Sequence, residues 1–125
     1  MTENDLSYLI RGAIYEVYNN LGAGLLESVY VSALEYELSV KGLKVKREVP
    51  VPVNYKNIKM DLGFRLDLLV EDKIIIEIKS VENLAEVHHK QVLTYLKITG
   101  LKLAILVNFN VTKINDGIFR KVNGL

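Results

Sequence analysis

The sequence predicts an α/β fold with a mixed central sheet flanked by helices, and three features predict it. Two apolar stripes at helical spacing open the chain, alternating segments follow from Lys44 to Ser80, and a last helical stripe leads into the almost continuous apolar run from Leu101 to Phe109. A helix lying between two strands makes a crossover, so the final strand should run parallel to its neighbour while the earlier strands run antiparallel. With 125 residues, half of them hydrophobic, the chain can bury one core and is expected to form a single domain over residues 1–125.

The first helix carries Leu6, Leu9, Ile10, Ala13, Ile14, Val17 and Leu21 and should stop near Gly22. Asn19, Asn20, Gly22 and Gly24 break the pattern, and Leu26, Val29, Tyr30, Ala33, Leu34 and Leu38 resume it as a second helix up to Gly42. Alternation of Val45, Arg47, Val49, Val51 and Val53 predicts a strand from Lys44 to Val53, which Pro50 and Pro52 place at a sheet edge. Asn54, Lys56 and Asn57 supply a turn into a second strand, Ile58 to Val70. Period two puts Leu62, Phe64, Leu66, Leu68 and Val70 on a core side and Asp61, Gly63, Arg65 and Asp67 on the other. After Glu71, Asp72 and Lys73 comes a third strand to Ser80, with Ile74, Ile76 and Ile78 opposing Ile75, Glu77 and Lys79. Leu84, Val87, Tyr95 and Ile98 mark a third helix ending near Gly100, and the run from Leu101 suits a strand buried on both faces. Ile118 to Val122 is a candidate for one more short strand.

Composition narrows the chemistry. Without cysteine there is no disulfide, thiolate metal site or cysteine nucleophile, so a metal must be held by oxygen or imidazole. His88 and His89 are the only histidines, which disfavours zinc. Met1 to Ser7 does not resemble a signal peptide and no run is long enough to span a bilayer, so the expected compartment is cytoplasmic, with no membrane partner. Sixteen basic residues against fifteen acidic give a net charge of +1, which is no electrostatic footprint for nucleic acid.

Asp67 and Glu77 sit at comparable distances from the turn joining two antiparallel strands, so their carboxylates can converge. Two carboxylates and a backbone carbonyl, for which Ile78 is well placed, form a site for magnesium or manganese. Lys79 projects from the face of Glu77, roughly 6–7 Å along the strand, and can orient an attacking water or offset charge on a phosphoryl group. Taken singly, all three are ordinary residues of a solvated strand face. Against that stands the isoleucine strand around Glu77 and Lys79, where charge is costly unless used.

The spacing of Asp67 and Glu77-Ile78-Lys79 resembles the PD-(D/E)XK nuclease superfamily motif, and Gly24-Leu25-Leu26-Glu27-Ser28-Val29-Tyr30 resembles the GxxExxY family within it. The likeness runs from Leu9 to Val122 and takes in Arg65, Gln91 with Tyr95, and Asn108-Phe109. It implies a restriction-endonuclease-like core of helix, three antiparallel strands, helix and strand, and magnesium-dependent cleavage of DNA or RNA. It also implies catalytic roles for Glu27 and Gln91 beside Asp67, Glu77 and Lys79. Glu27 would face the metal from the start of a helix, or be no more than a favourable helix-terminal charge. Gln91 would contact phosphate or support the metal ligands, or be a satisfied core amide. Gly24 would allow close backbone approach. Tyr30, Arg65, His88 and Tyr95 would surround the site, the tyrosines chiefly by packing, with His89 in solvent. Many relatives carry a histidine where this chain has Tyr18. The rival reading is a catalytically silent module that keeps the fold and binds nucleic acid or protein. An exposed first strand would also allow a homodimer.

Overall fold

In the computed structural model, which describes the backbone of residues 1–125 and every side chain except those of Asp61 and Leu62, helix α1 (Glu3–Leu21) starts at a capping box. The Asp5 amide donates to the Thr2 hydroxyl and the Thr2 amide to the Asp5 carboxylate, 3.1 and 3.0 Å. Its buried stripe is Leu6, Ile10, Ala13, Ile14 and Val17, and it stops at Gly22, whose φ of 69° suits glycine. Helix α2 (Glu27–Val40) buries Tyr30, Val31, Leu34 and Leu38. Leu26, expected on its apolar stripe, is instead an extended, exposed N-cap, and Val29 is also exposed.

Five strands follow in the spatial order β1-β2-β3-β4-β5: β1 (Val45–Tyr55), β2 (Ile58–Val70), β3 (Ile74–Lys79), β4 (Leu103–Asn108) and β5 (Ile118–Val122). The first three are antiparallel neighbours, β4 runs parallel to β3 after the crossover helix α3 (Glu86–Thr99), and β5 closes the far edge antiparallel to β4. The edge position of β1 and the parallel β3–β4 pair are as the sequence predicts. Lys56 and Asn57 both have positive φ, 47° and 67°, the two-residue turn that matches strand twist in a hairpin.

The sheet is covered on both faces. Helices α1 and α2 pack on Leu68, Val70, Ile74, Ile76, Ile78, Leu103, Ile105 and Val107. Helix α3 packs through Val92, Tyr95 and Leu96 on Val51, Leu66, Ile75, Ala104 and Leu106. Every residue of β4 is buried, as expected for a strand with helices on both sides.

Two expectations fail here. The apolar residues of β2 do not share one side: Phe64 and Leu66 join the α3 face, whereas Leu68 and Val70 join the α1–α2 face. The cause is in the partner strand, where Glu48 adopts a left-handed φ of 52° and the β1–β2 pairing passes from Arg47↔Leu68 to Val49↔Leu66 without a Glu48 pair. This left-handed residue turns both strands over at Asp67 with the register unchanged, and the register shifts only later, between Val51 and Val53. The expected facing of Asp61 and Leu62 lies outside the described side chains. In α3, Val87 is exposed, because the helix begins at Glu86 and points Val92, Tyr95 and Leu96 inward.

Candidate active site

The ladder between β2 and β3 is short. It pairs Val70↔Ile74, Leu69↔Ile75 and Leu68↔Ile76 and goes no further. At the next position, Asp67 and Glu77 replace it with side chains. The Ile78 amide donates to Asp67 Oδ2 at 2.8 Å, and the Asp67 amide donates to Glu77 Oε1 at 3.3 Å. Each acid therefore serves the backbone of the other's strand, where the strands part. The register that brings the acids together is the one expected from their distance to the turn.

The rest of β3 follows its predicted parity. Ile74, Ile76 and Ile78 enter the α1–α2 core, while Ile75 packs under α3 on the same side as Glu77 and Lys79. Because the Ile78 amide points toward Asp67, its carbonyl points to the same side, toward the gap left by β2. The next carbonyl, of Lys79, faces β4 and accepts from the Phe109 amide at 2.9 Å.

The electrostatics are those of a buried carboxylate pair that its one nearby countercharge, Lys79, does not balance. Glu77 is only 4 % exposed, and its carboxyl is pushed up to about 9, first by burial and then by the charge of Asp67. The Lys79 ammonium pulls the other way without cancelling this. Tyr95 stands against the pair from α3: its hydroxyl is pushed up to about 12 by burial and then by the charges of Glu77 and Asp67. Its ring meets Phe64 edge to face at 5.0 Å. Gln91, one turn earlier on α3, is half-buried and makes no side-chain hydrogen bond among the described residues.

Glu27 reaches the same end of the sheet. Its carboxylate accepts from the Ser80 amide at 3.4 Å, and the Ser80 hydroxyl donates to the Leu25 carbonyl at 2.6 Å. Ser80, which directly follows Lys79, thus ties the glycine-rich segment before α2 to the end of β3. Tyr30 holds that segment from below. Its hydroxyl donates to the Gly22 carbonyl and accepts from the Leu25 amide, 2.6 and 3.1 Å, and its ring stacks on Phe109 at 4.4 Å. Gly24 has φ of 95° with open space where a Cβ would stand, so it serves conformation and not the close approach expected of it.

Other expected neighbours are elsewhere. Arg65 is exposed, on the strand face opposite Phe64 and Leu66. The Nδ1 of His88 accepts from the Ala85 amide at 3.0 Å, so this ring caps the start of α3. His89 does not face solvent freely: it packs edge to face on Phe119 at 4.9 Å, and burial, then Lys121 and His88, lower its pKa. Tyr18 is tied to the carbonyls of Val111 and Thr112.

The sequence pattern marks Ser80 only as a strand end and Asn108 only as part of the family likeness, with no role for either side chain. Asn108, 3 % exposed, bonds both the amide and the carbonyl of Val81 and so fixes the segment leaving β3. Its signal is a polar residue closing an apolar run, which must find partners when buried.

Oxygen donors of this kind suit a hard divalent cation. Two carboxylates converge, each with an oxygen beyond the one bonded to an amide, and a backbone carbonyl faces the same gap. The raised Glu77 carboxyl is what a second charge would relieve. Among the described residues, no three His, Asp or Glu side chains gather into a ready-made metal cluster. Two open clefts flank this end of the sheet, one lined by Tyr18, Ala23, Glu82 and Asn110, the other by Glu82, His89, Asn108 and Phe119; Asp67 and Glu77 line neither.

Comparison with known proteins agrees with this architecture. The chain is similar to the crystal structure of SSO0001, with a TM-score of 0.58 and 25% identity over 78% of this chain and 50% of that one. It therefore spans half the length of SSO0001. No curated protein matches the sequence. The sequence model of the PD-(D/E)XK nuclease superfamily matches residues 4–121, and its restriction-endonuclease-like fold is the one seen here. On that match, and with its acids meeting where β2 and β3 part, the chain belongs to the PD-(D/E)XK nuclease superfamily.

Proposed function

We propose that this chain is a single-domain, divalent-metal-dependent nuclease that hydrolyses phosphodiester bonds in DNA or RNA, acting in the cytoplasm. The observation that carries the reading is the reciprocal bonding of Asp67 and Glu77 across the strand gap, which holds two carboxylates together with their charge not balanced by Lys79. The Gly24, Glu27 and Tyr30 spacing supports a place in the GxxExxY family.

In this reading Asp67, Glu77 and the Ile78 carbonyl hold magnesium or manganese. The cation, when bound, supplies Lewis-acid polarisation of a phosphoryl oxygen and a more acidic water. Lys79 orients the attacking water and offsets charge developing on the phosphoryl group. Glu27, held by Ser80, adds a carboxylate at the end of β3, and the amide of Gln91 contacts phosphate. Tyr95 and Phe64 wall the site and keep the carboxylates in a medium where charge interactions are strong.

The test is cleavage of labelled DNA and RNA with magnesium, manganese or chelator. Glu77→Gln and Lys79→Ala should each lower metal-dependent cleavage by roughly 10²–10⁴-fold with an unchanged circular dichroism spectrum. Equal activity in wild type and both variants would reject the centre.

A second reading, a binding module that retains the fold without turnover, is favoured by the near-complete burial of Glu77 and the net charge of +1. Titration calorimetry separates the two: manganese binding at Asp67 and Glu77 without cleavage of any nucleic acid supports the module.

A further inference from the structure

Strand β3 ends at Lys79, but its antiparallel neighbours continue past it. The last residues of the β1–β2 hairpin that α3 supports are Val51 and Phe64. Beyond them Pro52 to Gly63 form a two-stranded arm with no third strand beside it. It leaves the sheet at the end where Asp67 meets Glu77, and from Val53 to the turn it reaches roughly 10 Å further at the usual rise per residue.

The arm has two unlike faces. Cross-strand partners Val53↔Met60 and Tyr55↔Ile58 share one side, and Asn54↔Lys59 the other. Tyr55, Ile58 and Met60 are 58%, 62% and 43% exposed, an apolar face open to solvent. Lys56 lies over the Tyr55 ring at 5.5 Å. From Val49 to Arg65 the sequence has three basic residues, Lys56, Lys59 and Arg65, and one acid, Asp61. None of the three forms an ion pair among the described residues, unlike Lys44, Lys46 and Arg47, which pair with Asp72 and Glu35. Positive charge with no ion pair among the described residues is thus placed beyond the acidic centre.

We propose that this arm is a duplex-DNA clasp that enters the major groove beside the scissile phosphate. Lys56 and Lys59 meet the backbone, and Tyr55 and Ile58 lie against base edges. B-form DNA has a major groove about 12 Å wide that admits a two-stranded ribbon, whereas that of A-form RNA is too deep and narrow. The inference rests on the nuclease reading for the choice of a nucleic acid, but binding tests it separately from cleavage.

The experiment measures anisotropy of a fluorescein-labelled 24-base-pair DNA duplex, the matching RNA duplex and the single strand, over a salt series with calcium in place of magnesium. The 125-residue chain is compared with Lys56→Ala/Lys59→Ala and with Tyr55→Ala. The double variant should weaken duplex-DNA binding roughly tenfold and flatten the plot of log K against log salt by about 1.8. Tyr55→Ala should weaken it by a similar factor with the salt slope unchanged. Hydrolysis of bis(p-nitrophenyl) phosphate, too small to touch the arm, should be equal in all three proteins. Unchanged affinity and slope in both variants would overturn the clasp whether or not the protein cleaves. So would equal losses on duplex RNA, or sedimentation showing that Tyr55→Ala dissociates a dimer while DNA binding persists. Duplex binding that responds as stated, in a protein that hydrolyses nothing, keeps the clasp and removes the nuclease.

Discussion

Glu77→Gln should make the folded protein more stable in the absence of divalent metal, by an amount that grows with pH. Burial and Asp67 raise the Glu77 carboxyl from 4.5 to about 9. Between those two values the folded chain keeps a proton that the unfolded chain releases. The folded state then binds more protons, so its stability falls as pH rises, by about 1.36 kcal/mol per unit. Below pH 4.5 both states are protonated and there is no penalty; above pH 9 both are ionised and the penalty stops growing. From pH 5 to pH 7, allowing for partial ionisation of the unfolded chain at pH 5, the loss is about 2.5 kcal/mol. Glutamine keeps a side-chain oxygen for the Asp67 amide and has no proton to release, so the variant escapes the loss. Urea unfolding followed by far-ultraviolet circular dichroism suits a chain without tryptophan. It should be run in chelator on both proteins at pH 5, 6 and 7. The difference between the two stabilities removes the contribution of His89 and other groups common to both. A difference that stays constant across those pH values would refute the account of Glu77 as a buried, proton-retaining acid.

Other changes test the supports of the site. Ser80→Ala removes the bond to the Leu25 carbonyl and should cost about 1 kcal/mol in urea unfolding, with Ser80→Thr restoring it. Tyr30→Phe keeps the stack on Phe109 and deletes the bonds to Gly22 and Leu25. A loss of roughly 1–3 kcal/mol is expected, and a change under 0.5 kcal/mol, about the scatter between inert surface substitutions, would show that the glycine-rich segment does not depend on that hydroxyl. Gly63→Ala puts a Cβ onto the carbonyl oxygen of Val51 and should destabilise the hairpin by about 1–3 kcal/mol, seen as faster amide exchange along β1. Magnesium at one fixed concentration should raise the melting temperature of wild type more at pH 8 than at pH 6, because binding must release the Glu77 proton; Glu77→Gln should show no such pH dependence.

Much of this is legible in the sequence. Period two along β3 separates Ile74, Ile76 and Ile78 from Ile75, Glu77 and Lys79, and equal distance from the turn pairs Asp67 with Glu77. Those inferences need only strand geometry, which a uniform isoleucine strand obeys. What stayed hidden depends on tertiary partners. The turnover of β2 at Asp67 is caused by Glu48, whose left-handed backbone has no mark in a Glu between Arg and Val. On the third helical stripe, Leu84, Tyr95 and Ile98 do pack against the sheet, together with Val92 and Leu96, and Val87 alone is exposed, because only the sheet beneath fixes which side of the first turn is covered. The work of Ser80 depends on Leu25 and Glu27, more than fifty residues earlier in the chain, and local pattern cannot reach that far.

The bond from the Ile78 amide to Asp67 gives the protein its own reporter. A cation that draws electron density from the Asp67 carboxylate weakens its hold on that proton, and the proton's nuclear resonance shifts with it. In a spectrum of the labelled chain, occupancy would be read from a single backbone signal inside the sheet, without a substrate, and silent members of the superfamily could be sorted from working ones by the same peak.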